Sequence, residues 1–211
     1  MKKICIISDT HGEHMYLPPI PDCDALIHCG DITSLGKEYD VVQFLDWFKG
    51  LNQCKNKIFI AGNHDFLFER RKKIALELIP ENVIYLENSM VEIDGIKFWG
   101  TPVSLPFHNW AFNRTPEQIL KYWKMIPDGI DVLITHGAPK YIMDVSPWSR
   151  THTGSESLTN EVLNRIKPKI HCFGHIHDCY GINETGGITF INASNLNEDY
   201  EIANKPVIIE I

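Results

Sequence analysis

At 211 residues, 44% of them hydrophobic and 22% charged, the chain has the composition of an ordinary folded protein. It is long enough to bury about 70% of its unfolded surface, which excludes both intrinsic disorder and a mini-fold dependent on disulfide or zinc staples. Twenty-seven acids against 20 bases give a formal charge of -7, and that balance argues against stable binding of duplex nucleic acid.

The first element in the chain is the β-branched run 3–7, expected as a buried strand, and a second run, 25–29, follows the irregular stretch 12–23. Val41, Phe44, Leu45 and Phe48 recur at helical spacing and predict an amphipathic helix over 37–50. A third strand is read at 57–61. Between Met90 and Gly100 two alternating segments flank Asp94-Gly95, the dipeptide that a tight hairpin favours. Thr115-Pro116-Glu117 opens a helix with Ile119, Leu120 and Trp123 on one face. Strands at 131–135 and 169–173 bracket a further helix from Ser155 to Ile166. The chain closes with a hairpin at Gly186-Gly187, between 179–184 and 188–192, and a last strand at 206–211. Strand-helix alternation indicates parallel pairing with helices outside. Since about ten strands exceed one tidy parallel sheet, two sheets packed face to face, helices on both outer sides, are expected. No repeat or linker divides the chain, so it reads as a single domain over 1–211.

Six cysteines, at 5, 23, 29, 54, 172 and 179, contain no C-x-x-C pair and read as reduced thiols. Met1-Lys2-Lys3 leads straight into a short strand rather than a signal peptide, and no apolar run approaches the ~20 residues a membrane helix needs. The expectation is a soluble cytoplasmic protein with no membrane partner.

Five segments place a metal-ligating residue immediately after a predicted strand: Asp9-Thr10-His11, Gly30-Asp31, Gly62-Asn63-His64-Asp65, His136-Gly137 and Gly174-His175-Ile176-His177. Strand C-termini of an α/β sheet converge on one crevice, so these groups are expected to meet. Two carboxylates, one carboxamide and four imidazoles suit two ions that share a bridging group. Asp31 is the natural bridge. In Asp9-x-His11 an extended backbone would point both side chains at one ion, whereas His175 and His177 can split between neighbouring ions. The adjoining Gly30, Gly62, Gly137 and Gly174 are read as positions where a Cβ would obstruct. Mixed imidazole and carboxylate suits manganese, iron, zinc or nickel better than calcium or an all-oxygen magnesium site, with manganese the leading expectation.

In this order, D-x-H, G-D, G-N-H-D, H-G and G-H-x-H resemble the motif set of calcineurin-like metallophosphoesterases over residues 4–177. Gly100-Thr101-Pro102, Trp110-Ala111-Phe112-Asn113, Lys167 to His177 and Ile191-Asn192-Ala193-Ser194 resemble the small, cap-less MPPED-type branch. The resemblance implies a four-layer αββα sandwich. It implies Asp9, His11 and His177 on a first metal, Asn63, His136 and His175 on a second, and Asp31 between them. His64 would stand beside the phosphoryl group rather than bind metal, and Asp65 would hold its ring in the useful tautomer. Two divalent ions would draw in the phosphate oxygens and lower the pKa of a bridging water toward about 7. The implied activity is hydrolysis of small phosphodiesters such as cyclic nucleotides. Phosphomonoesters are the alternative substrate, and a catalytically idle metal-binding scaffold is the alternative from another class.

Other residues have plainer readings. His14, His28, His108, His152 and His171 are expected to be structural. The irregular stretches 12–23, 101–114 and 137–154 are long enough to suggest functional loops. In them Trp110, Phe112 and Trp148 either seal the core or form a stacking platform for a flat group. Arg150 and the cluster Arg70-Arg71-Lys72-Lys73 read as solvated surface.

Overall fold

The protein is represented by a computed structural model that describes residues 1–146 and 149–211. In chain order the strands are β1 (Lys3–Ile7), β2 (Cys23–His28), β3 (Cys54–Phe59), β4 (Ile84–Tyr85), β5 (Ser89–Ile93), β6 (Ile96–Thr101), β7 (Val132–Thr135), β8 (Ile170–Phe173), β9 (Gly181–Thr185), β10 (Ile188–Asn192) and β11 (Val207–Glu210). The α-helices are α1 (Glu38–Lys49), α2 (Phe66–Arg70), α3 (Lys72–Glu77), α4 (Pro116–Met125) and α5 (Glu156–Glu161). One sheet runs β11-β1-β2-β3-β4 and the other β5-β6-β7-β8-β10-β9. In each, the central strands are parallel; antiparallel partners close three of the edges, β11 beside β1, β5 beside β6 and β9 beside β10, and the short β4 closes the fourth in parallel with β3.

Strand alternation builds the layers. In β1, Ile4 and Ile6 point into the core between the sheets, where they meet Ile27, Ile58, Val132, Ile134 and Cys172. Cys5 and Ile7 point outward with Leu26 and Phe59 onto Phe44 and Phe48 of α1. Likewise Leu133 of β7 faces outward, toward Trp123 of α4 and Leu158 of α5. The result is the expected αββα sandwich. A buried Leu, Ile or Phe contributes about 1.5–3 kcal/mol, so three such clusters hold the four layers without cross-links, and all six cysteines are free thiols.

Local signals explain the element ends. Thr115 and Gln118 form a reciprocal capping box at the start of α4, and the Ser155 side chain caps α5 by accepting from the Leu158 amide. The hairpin turns put Asp94 and Gly95 at φ 52° and 80°, and Gly186 and Gly187 at 62° and 78°, the left-handed pair that a two-residue turn requires. The reading differs from the structure in three places. The segment Ser155–Ile166 is not one uniform helix, because Val162–Ile166 winds more widely, as a π-helix, before Lys167 turns left-handed. The two-residue β4 and the short helices α2 and α3 had no readable period. Stretch 12–23 is no site loop: Leu17 and Ile20 pack onto the outer face of the first sheet.

Candidate metal centre

All seven expected ligands gather where the two sheets present their strand C-termini. β1 delivers Asp9 and His11, β2 delivers Asp31, β3 delivers Asn63 and His64, β7 delivers His136, and β8 delivers His175 and His177. Nearly all are buried. Three groups bring ligand atoms within 4.8 Å of one another: Asp9, His11 and His177; Asp31, His136 and His175; and His11, Asp31 and His64. A single oxygen, Asp31 Oδ2, lies 3.7 Å from His11 Nε2 and 3.3 Å from His136 Nε2, which is the placement of a bridge. Asn63 Oδ1 lies 2.8 Å from His136 Nε2.

The backbone achieves this by strain rather than by extension. Asp9, His11, Asp31 and His175 have φ of 52°, 45°, 56° and 69°, and such left-handed non-glycine residues cost free energy that surrounding structure must offset. Asp9 and His11 therefore come together through left-handed backbone, not through the i, i+2 alternation of an extended segment. Three glycines make room: a Cβ on Gly174 would collide with the Asp9 carboxylate, one on Gly62 with Asp31 and His136, and one on Gly30 with His136 Nδ1 and the Ala61 carbonyl. Gly137 is different, since its nearest neighbour to a built Cβ is Ser104 at 3.5 Å and it has ordinary room.

Around the ligands, backbone carbonyls fix the rings. His136 Nδ1 donates to Cys29 O at 3.0 Å and His177 Nδ1 to Asn197 O at 2.9 Å, which turns each Nε2 inward, the arrangement that metal-ligating imidazoles use. Asp9 accepts from the His175 amide and, at 2.7 Å, from Ser194 Oγ. Asn197 and Tyr200, whose ring lies 4.8 Å from that of His11, were not singled out from sequence, and Ser194 was noted only as part of a motif, with no site role. The rule that strand ends converge, applied to β10, finds Ser194; Asn197 acts through its backbone and leaves no side-chain signal.

Charge at the centre is uneven. Burial disfavours charge on His136 and His177, yet Asp31 beside the first and Asp9 beside the second outweigh it and raise both to about 9. Burial drives His11 and His175 down to about 4. Burial also opposes ionisation of Asp9 and Asp31, but the imidazoles around them hold both carboxyls below the usual carboxylate range. His11 Nε2 and His177 Nε2 face each other at 3.3 Å, and the buried His11 Nδ1 has no partner. Two buried carboxylates ringed by inward imidazole nitrogens fit a pair of borderline divalent cations.

His64 and Asp65 depart from the expected pairing. Asp65 does not touch the His64 ring; its carboxylate accepts from the amides of Ile32, Thr33 and Gly62 and from Thr33 Oγ1, at 2.8–3.1 Å. It ties the loop after β2 to the turn after β3, and burial pushes it up to about 6, helped by the nearby Asp31. The ring's partner is instead the Ser34 carbonyl, 2.7 Å from His64 Nδ1. This leaves Nε2 toward the centre, 4.0 Å from Asp31 Oδ2. Trp110 stacks on the ring with centroids 3.9 Å apart and planes at 25°, and Phe66 stacks on Trp110 in turn. Trp110 thus braces a site residue, and Phe112 belongs to the core.

The remaining candidates are structural. His28 and His171 meet the hydroxyls of Thr10 and Thr135, His14 packs on Phe44 and Trp47, and His152 Nδ1 pairs with the buried Asp144 at 2.6 Å. His108 and Arg150 are exposed, and Trp148 lies outside the described residues. Arg70 covers Phe66, while Arg71 and Lys72 pair with Glu38 and Glu87.

Known proteins resemble this chain in sequence and in fold. The family model described as calcineurin-like phosphoesterase matches residues 2–179. Metallophosphoesterase domain-containing protein 1 of Homo sapiens is 36% identical over 233 residues, covering 99% of this chain and 70% of that protein. A UPF0046 protein of Caenorhabditis elegans is 37% identical over 228 residues, covering 99% of this chain and 80% of its own length. One solved structure matches with a TM-score of 0.66 at 18% identity, over 90% of both chains, which is a likeness of fold. No described helix is long and apolar enough to cross a membrane.

Proposed function

The chain belongs to the calcineurin-like phosphoesterase family, on the branch of the metallophosphoesterase domain-containing proteins, and from that premise we propose that it is a dinuclear-metal phosphodiesterase acting on small diesters such as cyclic nucleotides. The observation that carries the reading is Asp31 Oδ2 standing between His11 Nε2 and His136 Nε2. Asp9, His11 and His177 would hold one ion, Asn63, His136 and His175 the other, with manganese first among manganese, iron, zinc and nickel. Bound there, such ions supply positive charge against the phosphate oxygens and lower the pKa of water.

The chain's own residues supply the rest. His64, with Nδ1 held by Ser34 and its face held by Trp110, presents Nε2 to the centre. In its protonated form it can hydrogen-bond a phosphoryl oxygen and pass that proton to the departing alkoxide. Asp65 is a positioning residue, acting on His64 through the loop that carries Ser34. A preference for diesters over dianionic monoesters is supported by the absence of lysine and arginine among the described residues of the cavity at the centre. Free thiols suit a reducing compartment such as the cytoplasm.

The test is reconstitution. Manganese-loaded protein is expected to cleave bis-p-nitrophenyl phosphate, to lose that activity to a chelator, and to favour 2′,3′- or 3′,5′-cyclic nucleotides over phosphomonoesters. Absence of turnover with manganese, iron, zinc and nickel alike would contradict the reading and leave an idle scaffold.

A further inference from the structure

A cavity of about 570 Å³ opens from the centre, beneath the loop 103–107, and runs between α4 and α5. Its outer end is formed by Asp31, Asn63, His64, His175 and His177, and its floor by Ile119, Trp123 and Leu158. The floor residues are apolar and at most 1% exposed, so the deep end offers a guest apolar contact. A benzene-sized guest needs about 150 Å³, which leaves room here for a phosphate and a ring system together.

The polar inventory of the wall is small. Its carboxylates are Asp31 and Glu198, and no lysine or arginine is among its described residues. Most of its hydroxyls are already engaged: Ser155 Oγ accepts from Trp123 Nε1 and the Leu158 amide, Thr153 Oγ1 donates to Asp144 O, and Ser146 and Ser149 bond within their own turn. Ser104 is the buried exception. It lines the cavity and is 2% exposed, and its Oγ, which has no partner, is itself shut off from the cavity's open space.

We infer that this cavity seats one ester arm of the substrate, and that the arm is uncharged, ring-sized and largely apolar. The inference rests on the phosphoesterase reading for what occupies the outer end. It excludes substrates whose second arm carries another phosphate or a carboxylate, because that charge would be desolvated with no cation to meet it. A nucleobase satisfies the description; a nucleoside polyphosphate does not.

Non-hydrolysable phosphonates test it by binding alone. Calorimetry on manganese-loaded protein is expected to find phenylphosphonate bound at least about tenfold more tightly than methylphosphonate, since the ring removes apolar surface from water. A carboxylate at the para position of the ring should abolish that gain. In Ala138→Leu, which fills the wall, the ratio should fall toward one; the wild-type comparison stands if that variant does not fold. Equal affinities for phenyl- and methylphosphonate, or an undiminished gain with the carboxylate, would overturn the inference. Turnover of bis-p-nitrophenyl phosphate by the same preparation reports separately on the phosphoesterase reading: activity with equal phosphonate affinities sinks the inference alone. A phenyl preference without activity sinks the reading alone, and absence of both sinks both.

Discussion

Two pairs of buried histidines, His136 and His177 at the centre and His28 and His171 within strands β2 and β8, respond to burial in opposite ways. His136 and His177 are raised to about 9 despite burial, because Asp31 and Asp9 stand against them. His28 and His171 are driven down to about 3 by burial, with neutral threonine hydroxyls as partners. The residue type and burial are shared, and a carboxylate in hydrogen-bonding contact makes the difference; His11 and His175, at the same centre but without such a bond, are driven down to about 4. His28 and His171 thus form a lower layer that excludes charge, beneath a centre in which only the carboxylate-bonded imidazoles admit it.

The largest effect that would break this comparison follows removal of the shared carboxylate. Asp31→Asn should abolish loading of the second ion and cut turnover by about a thousandfold or more, since electrostatic groups at the reacting centre are worth several kcal/mol; metal content by mass spectrometry checks the first part. His64→Ala should slow turnover about a hundredfold or more, a usual worth for an acid-base group, with two ions still bound. Loss of metal in that variant would make His64 a ligand, a role its proximity to His11 and Asp31 would accommodate.

Protons sharpen the comparison. Below about 9, His136 and His177 hold protons that an incoming cation must displace. Metal affinity should therefore rise with pH up to that value, by about tenfold per pH unit for each proton released, and titration in weak buffer should show the release directly. The lower layer has the opposite dependence. With folded values near 3 and an unfolded value near 6.5, His28 and His171 contribute stability that is complete above about pH 6.5 and is lost as pH falls. At pH 5 each should cost about 2 kcal/mol, visible as a lower melting temperature that His171→Gln partly flattens. The smallest effect is at Trp110, where Ala should reduce turnover several-fold by loosening the His64 ring, an aromatic pair being worth about 0.5–1.5 kcal/mol.

The sequence exposed this layering unevenly. Strand ends were legible because β-branched runs stop at Gly, Asp or His, and that alone located Asp9, Asp31, His136 and His175. The two hairpins were legible from Asp94-Gly95 and Gly186-Gly187, whose left-handed turns leave a compositional trace. The orientation of His64 was not, because its partner is the Ser34 carbonyl, and every residue has a carbonyl. The acidic neighbour Asp65 offered a false partner: adjacent residues point apart, and its carboxylate turned inward to four donors on two loops. Strand β4 escaped because two residues show no period.

The central claim is that two cations share Asp31. Anomalous diffraction from manganese-loaded crystals tests it most directly. The account predicts two peaks, one among Asp9, His11 and His177 and one among Asn63, His136 and His175, with the Asp31 carboxylate reaching both; a single peak, or two that Asp31 does not join, would contradict it.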